Sequence, residues 1–233
     1  MSTLKLMEFL APALQGAHNS NPASADRIIK SGSYRDLSTV WVTPTRDHRL
    51  DDQVVFQSWM SVLKPMNQKF CQFCIGGGEV ADAYNCAVEV ILRDAVKWKY
   101  MLTVEVDNLP PKDGLLRLYE NTDKFDVIGG LYWTKEENGT AMIYGTPDNP
   151  DDPDGFIPQP PIGDIQPCNG LGMGFTLFNV DVFRKMKGPW FVTTDEGTQD
   201  LYFFENAKKA GYKFASDNRV KVGHIDFQTR KIW

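Results

Sequence analysis

The chain has 233 residues, of which 42% are hydrophobic, 24% charged and 12% aromatic, and its formal net charge is −5. A chain of this length can bury one substantial core, and its composition is that of a globular protein. The acidic balance argues against a nucleic-acid-binding protein, since such proteins usually carry a basic face. No apolar run approaches the roughly 20 residues that a membrane-spanning helix needs. We therefore expect no nucleic-acid partner and no transmembrane segment.

The cysteines favour a reducing compartment. Cys71 and Cys74 form a single C-x-x-C pair, and the sequence has no second pair at the spacing of a zinc site. We interpret them as buried free thiols. The chain is therefore predicted to be cytoplasmic, either free or bound peripherally at a membrane.

Predicted elements alternate along most of the chain. Residues 1–37 show little hydrophobic period and are predicted to form an irregular N-terminal arm, followed by one domain over 38–233. Apolar, β-branched runs predict strands, and apolar residues at helical spacing predict helices. In chain order, these are a strand at 39–43, a helix at 51–63, a strand at 70–75, a helix at 79–98, a strand at 100–104, a helix from 110 to about 120, a strand at 125–132 and a hairpin at 132–144.

The stretch 145–167 differs from its surroundings, because seven prolines and five aspartates fall within it. Loops of this length inside a compact domain are usually functional, so we interpret it as an active-site loop. After it come a predicted strand at 172–179, helices at 180–186 and 197–210, and strands at 212–215 and 220–225. The alternation predicts an α/β fold with a mixed, mainly parallel sheet and helices on both faces.

Three predicted strands end in residues suited to a binding site. Pro44, Gly76–Gly78 and Glu105–Asn108 each follow an apolar strand. Ligands bind at the carboxyl ends of strands in sheets of this kind. Glu105 and Asp107 could bind a hard divalent ion such as Mg²⁺ or Mn²⁺, which can neutralise a diphosphate. The spacing is equally compatible with a solvated acidic turn in which Asp107 or Asn108 caps the next helix.

Two later residues are candidates for the same site. His224 follows an apolar run and is either a structural histidine or a neutral imidazole that completes a metal shell with Asp107. Asp200 lies in the first turn of a predicted helix, where the helix dipole stabilises a carboxylate and is expected to lower its pKa. An ionised carboxylate there could act as a general base on a sugar hydroxyl. The alternative is a purely structural acid that the helix dipole stabilises.

Taken in order, these segments resemble GT-A (Rossmann-like) glycosyltransferases, particularly family 2 and its small phage and prokaryotic members. The resemblance covers residues ~39–226 and rests on the order and spacing of the motifs. These motifs are 42–46, 78–85, 100–111, 127–132, 172–175 with 182–183, 198–200, 210–213 and Gly223-His224. Three residues depart from the family pattern: Glu105 replaces the first Asp of Asp-x-Asp, Tyr84 replaces Arg, and Gln199 replaces Glu.

The resemblance implies a metal-dependent transfer of sugar from a nucleotide-diphosphate sugar to an acceptor hydroxyl. Asp107 and His224 would bind Mn²⁺ or Mg²⁺, and Glu105 would assist through ribose or a metal-bound water. Asp200 would be the general base, which favours inversion at the anomeric carbon. The loop at 145–167 would close over donor or acceptor. The residues implied around the donor nucleotide are Thr43, Pro44, Thr45, Arg46 and Asp82.

Two other functions stay open. A sugar-nucleotide nucleotidyltransferase has the same alternating architecture, but usually carries a glycine-rich, basic loop after its first strand. Here that position, 44–49, has no glycine. A non-catalytic sugar-binding protein on the same fold is the second alternative, because Tyr84, Glu105 and Gln199 depart from the family pattern.

Overall fold

The computed structural model describes residues 35–45, 52–76, 78–147, 155–195 and 197–233. Several sequence predictions fall wholly or partly outside these residues. They are most of the N-terminal arm at 1–37, Arg46, the first residue of the helix at 51–63, Gly77, and the middle of the loop at 145–167, from 148 to 154. Among the described helices, none is both long enough and apolar enough to cross a lipid bilayer.

A seven-stranded sheet forms the centre of the domain. The described strands are β1 Thr39–Thr45, β2 Phe70–Gly76, β3 Tyr100–Val104, β4 Asn108–Leu109, β5 Val127–Leu131, β6 Ile143–Tyr144, β7 Ile165–Cys168, β8 Gly170–Leu171, β9 Phe175–Asn179, β10 Phe214–Lys221 and β11 Gly223–His224. The sheet order is β2-β1-β3-β9-β5-β10-β7. Strands β2, β1, β3, β5 and β10 run in one direction, whereas β9 and β7 are antiparallel to their neighbours.

Helices cover both faces of this sheet. The described helices are α1 Gln53–Ser61, α2 Val80–Arg93, α3 Gly114–Tyr119, α4 Val180–Lys185 and α5 Gln199–Lys209. Successive side chains of a strand point to opposite faces, so Val40 and Val42 of β1 belong to one apolar core and Trp41 to the other. Helices α2, α4 and α5 pack into the first core, and α1 and α3 into the second. The predicted α/β fold with a mixed, mainly parallel sheet is confirmed.

Several predicted boundaries were wrong, each for a local reason. Strand β1 continues through Pro44 to Thr45, whose hydroxyl donates to the carbonyl of Ile75 in β2 at 3.2 Å. Helix α2 ends at Arg93 and not near Trp98, because Asp94 adopts an extended backbone conformation. The Asp94 carboxylate then accepts hydrogen bonds from the Val96 amide and the Trp98 indole at 3.2 and 2.7 Å.

In the second half of the chain, the observed elements differ more from the predicted ones. The predicted loop at 145–167 contains the first residues of β7, which pairs with β10 at the sheet edge. The predicted strands at 212–215 and 220–225 are largely one strand, β10, followed by the short β11. The predicted strand at 172–179 begins later, at Phe175, and only Phe175–Asn179 joins the central sheet; β8, which precedes it, pairs with β6.

Candidate functional site

The carboxyl ends of β1, β2 and β3 lie side by side. Thr45 is paired with Gly76, and Val42 with Thr103, in parallel register. The chain leaves β3 directly into Glu105 and Asp107. The two carboxylates therefore stand at the sheet edge where the sequence predicted a binding site.

Backbone pairing fixes Asp107 beside the C-terminal part of the chain. The short strands β4 and β11 are antiparallel, with Asn108 opposite His224. The amide of Ile225 donates to the carbonyl of Asp107 at 2.8 Å. On the other side, the Trp59 indole donates to the carbonyl of Asn108 at 3.0 Å. The segment after β3 is thus held from two directions.

The side chains of Asp107 and His224 meet. Nε2 of His224 lies 3.5 Å from Oδ2 of Asp107. Nδ1 of His224 lies 2.7 Å from the carbonyl oxygen of Trp133, which can only accept, so Nδ1 carries the proton. The ring also packs edge-on against Tyr132 at a centroid distance of 5.4 Å. Nε2 is therefore the ring nitrogen that faces Asp107: it donates to the carboxylate when the ring is protonated, and it carries a free lone pair when the ring is neutral.

Lys135 is a third member of this cluster, and the sequence reasoning missed it. Its ammonium makes an ion pair with Oδ2 of Asp107, the oxygen that His224 also faces. Burial opposes ionisation of Asp107, but contacts with His224 and Lys135 outweigh it and hold the pKa of Asp107 below its usual value. Lys135 follows strand β5 by a few residues, so its place after a strand end was the available sequence signal.

The donor atoms of Asp107 and His224 fit a divalent ion. A carboxylate oxygen and a neutral imidazole nitrogen face each other, and the second ring nitrogen donates to a backbone carbonyl, as is usual for metal-binding histidines. Within the described ranges, no three His, Cys, Asp or Glu side chains form a group able to hold a metal ion. Glu105 therefore does not complete a three-ligand set. Any ion here would take its remaining ligands from water and from an anionic ligand.

Tyr84 connects the carboxylates of the site. Its ring is fully buried against Phe191. Burial raises the pKa of Tyr84 well above its usual value, and the charges of Glu105, Asp200 and Asp107 raise it further. Its hydroxyl has no hydrogen-bond partner among the described residues. Carboxylates from two distant parts of the sequence, 105–107 and 200, thus raise the pKa of one phenol.

Glycines 172 and 174 are explained by close packing inside the protein. A Cβ atom on Gly174 would lie 2.6 Å from both polar side-chain atoms of Asn108, and one on Gly172 would overlap the hydroxyl of Tyr132. The Gly174 amide donates to that hydroxyl at 2.9 Å, and the Gly174 carbonyl accepts from the Glu105 amide at 3.3 Å. The partners at both glycines are side chains of the site itself.

Asp200 lies in the first turn of α5, as predicted, but its predicted pKa shift was wrong. The side chain is only 7% exposed. This burial raises the pKa of Asp200, although the Thr198 hydroxyl and the Leu201 amide donate to its Oδ1. Desolvation of the buried carboxylate outweighs these hydrogen bonds. Burial, and then the charge of Asp200, raise the pKa of Tyr144 to about 12.

The described residues among those predicted to border the nucleotide lie near the same edge of the sheet, but they differ in burial and in hydrogen bonding. Thr43 is buried and its hydroxyl accepts from the Trp41 indole at 3.0 Å. Pro44 and Thr45 form the end of β1, where Thr45 is bonded to β2. Asp82 is exposed in the first turn of α2. The side chains of Thr43 and Thr45 are therefore used in packing, and Arg46 lies outside the described residues.

Asn85 is a further structural residue of this region. Its side-chain oxygen accepts from the amides of Trp190 and Phe191 at 2.9 and 3.1 Å, and its amide donates to the carbonyl of Phe191 at 2.6 Å. These three bonds tie α2 to the segment that leads to α5. They fix the position of α5, and hence of Asp200, relative to the sheet edge.

No protein-family model and no curated protein matches the chain. Among solved structures, it is similar to the crystal structure of A197 from STIV, with a TM-score of 0.61 and 17% sequence identity. The match covers 84% of this chain and 92% of that chain. At this level of identity, the similarity shows a shared α/β fold across most of both chains.

Proposed function

We propose that the chain is a GT-A glycosyltransferase that moves a sugar from a nucleotide-diphosphate sugar to an acceptor hydroxyl. The observation that carries this proposal is the contact at the carboxyl edge of the sheet between Asp107 and His224, whose Oδ2 and Nε2 atoms lie 3.5 Å apart. The charges of both Asp107 and Asp200 raise the pKa of buried Tyr84, which supports their belonging to one site. The reaction needs a cation-binding carboxylate and a separate base within one site. Asp107 and Asp200 supply groups of these two kinds.

Asp107 and His224 would hold the divalent ion. Mn²⁺ fits this pair better than Mg²⁺, because Mg²⁺ strongly prefers oxygen ligands. When bound, the ion would neutralise the charge that develops on the departing diphosphate. Asp107 suits this role because contacts with His224 and Lys135 hold its pKa low and keep it ionised. Glu105, adjacent on the same segment, is assigned to the donor ribose or to a water of the ion.

Asp200 is the proposed general base. The hydrogen bonds from Thr198 and Leu201 fall on Oδ1, and we assign Oδ2 to accept the proton of the acceptor hydroxyl. The raised pKa makes the carboxylate a stronger base than an exposed aspartate. As the proton moves to Oδ2, the acceptor oxygen bonds to the anomeric carbon and the nucleoside diphosphate leaves. A base that activates an incoming acceptor favours inversion at that carbon.

The direct test is release of nucleoside diphosphate from a panel of nucleotide sugars with Mn²⁺ present. We expect release with at least one donor, and its loss in Asp107→Ala. Asp123→Ala is the matched control, since Asp123 is exposed in the turn before β5, at the opposite edge of the sheet. Release of pyrophosphate from a sugar phosphate and a nucleoside triphosphate would instead support a nucleotidyltransferase. Sugar-nucleotide binding without turnover would support a non-catalytic protein.

A further inference from the structure

Lys135 occupies a defined position beside the proposed ion site. It lies in the loop that joins Thr134 to Thr140, which is closed by hydrogen bonds from the Thr134 amide to the Thr140 carbonyl at 3.0 Å and from the Thr140 amide to the Thr134 hydroxyl at 2.9 Å. The Lys135 and Asp107 side chains are only 26% and 22% exposed. The contact is therefore more buried than an ordinary surface ion pair, in which both partners are well exposed.

The same loop also orients His224. The carbonyl of Trp133, two residues before Lys135, accepts the hydrogen bond from Nδ1 of His224. One short segment therefore directs Nε2 of His224 at Asp107 and places an ammonium on the same carboxylate oxygen. An ammonium and a divalent ion would repel each other strongly if both stayed on that oxygen. Binding of the ion at Asp107 requires Lys135 to leave.

We propose that Lys135 is an exchangeable counter-cation. It neutralises Asp107 when no divalent ion is bound, and yields Oδ2 of Asp107 when an ion binds there. Its ammonium then pairs with the anionic diphosphate that accompanies the ion. A lysine suits this exchange, because its compact charge sits on a flexible four-carbon stem with rotatable donors. The diphosphate part of this inference rests on the proposed function, whereas the competition at Asp107 does not.

The exchange is tested with Mn²⁺ alone and the full chain, by electron paramagnetic resonance of free Mn²⁺. We expect Lys135→Met to bind Mn²⁺ about fivefold more tightly than the wild type or better, because the competing charge is gone. Lys99→Met is the matched control, since Lys99 pairs with Asp181 at 3.2 Å away from this cluster, and we expect no change. Lys135→Arg keeps the charge and should remain within about twofold of the wild type.

A second experiment measures the binding of a nucleoside diphosphate. With saturating Mn²⁺, Lys135→Met should bind uridine or guanosine diphosphate about tenfold more weakly, because an ammonium–phosphate pair is lost. The opposite signs of the two effects distinguish exchange from misfolding, which would weaken both. Unfolding temperatures confirm that each variant is folded.

Three results would overturn the exchange. These are equal or weaker Mn²⁺ binding by Lys135→Met, a gain that persists in the Asp107→Ala/Lys135→Met double variant, and absence of Mn²⁺ binding by every variant. The transferase proposal is judged separately by nucleoside diphosphate release in the wild type. Release of nucleoside diphosphate by a chain that binds no Mn²⁺ would support the transferase proposal and would refute the exchange at Lys135.

Discussion

His224 and Asp107 meet with Nε2 and Oδ2 3.5 Å apart, although one follows β10 near the end of the chain and the other follows β3. The backbone brings them together, since β4 and β11 are paired and the Ile225 amide donates to the Asp107 carbonyl. The side-chain contact is therefore a consequence of strand pairing. A ligand that needs both groups would find them already in position, which reduces the entropic cost of binding.

The first prediction concerns His224. Replacement by alanine removes the imidazole but leaves Asp107 and Lys135, so we expect Mn²⁺ affinity to fall about tenfold or more, the effect typical of disturbing a metal site. Isothermal titration calorimetry with MnCl₂ measures this directly. Gln228→Ala is a suitable control, because Gln228 is exposed in the adjacent segment. Unchanged affinity in His224→Ala would remove His224 from the ligand set.

The second prediction concerns the pH dependence of transfer. The pKa of Asp200 lies above its usual value of 3.8, because burial penalises the charged form. A base acts only when ionised, so kcat/KM should rise with pH through an acid limb that lies above pH 3.8. Asp200→Asn should keep donor affinity within about twofold and lower kcat by 10²-fold or more, the usual effect of losing a general base. Normal turnover in Asp200→Asn would refute the assignment.

The same shift in the pKa of Asp200 extends the second prediction to stability, and the sign of the effect is definite. Its folded pKa is higher than its unfolded pKa, so the folded chain binds this proton more tightly. The ionised carboxylate therefore destabilises the fold fully above the folded pKa, and this cost disappears as pH falls below the unfolded pKa. Asp200→Asn should raise the unfolding temperature at pH 7 and leave it nearly unchanged near pH 3. A lower unfolding temperature at pH 7 would contradict this reading.

The order of elements was predictable because it depends on local patterns. Strand β3 is a continuous apolar run whose predicted bounds, 100–104, are those observed. Strand β7 was missed because its first residues lie in the stretch 145–167, whose prolines and aspartates indicated a loop. Pro167 is accommodated because β7 is the last strand of the sheet, where one side of the backbone needs no partner. Position within the sheet, which local sequence does not encode, decided this element.

The site was predictable to the extent that its groups follow strand ends. Asp107 and Glu105 were found by this rule, and Lys135 also obeys it, after β5. Its contact with Asp107 depends on how the loop at 134–140 folds, which has no periodic signal. The raised pKa of Asp200 depends on its burial inside the folded domain. Such long-range desolvation is not readable from the first turn of a helix alone.

The third prediction concerns the buried hydroxyl of Tyr84. It has no hydrogen-bond partner among the described residues, and an unsatisfied buried polar group costs about 1–3 kcal/mol. Tyr84→Phe should therefore raise the free energy of unfolding by about 1 kcal/mol, measured by urea denaturation. Tyr119→Phe is the matched control. Because the Tyr119 hydroxyl is hydrogen-bonded to Thr39, this variant should have a lower free energy of unfolding than the wild type. Destabilisation of both variants would indicate a partner for Tyr84, such as a buried water.

The fourth prediction concerns Gly174, which supports Asp107 through its neighbour. A Cβ atom there would lie 2.6 Å from both polar atoms of the buried Asn108 side chain, so alanine must push Asn108 and the segment before it. We expect Gly174→Ala to lower the free energy of unfolding by about 1–3 kcal/mol, the usual cost of overpacking. Because Asp107 directly precedes Asn108, Mn²⁺ affinity should fall as well. Gly197→Ala, where a Cβ atom would meet nothing within 4 Å, should change neither quantity. If Gly174→Ala loses stability but binds Mn²⁺ normally, Asp107 is positioned by the β4–β11 pairing alone, and Gly174 serves only the packing of Asn108.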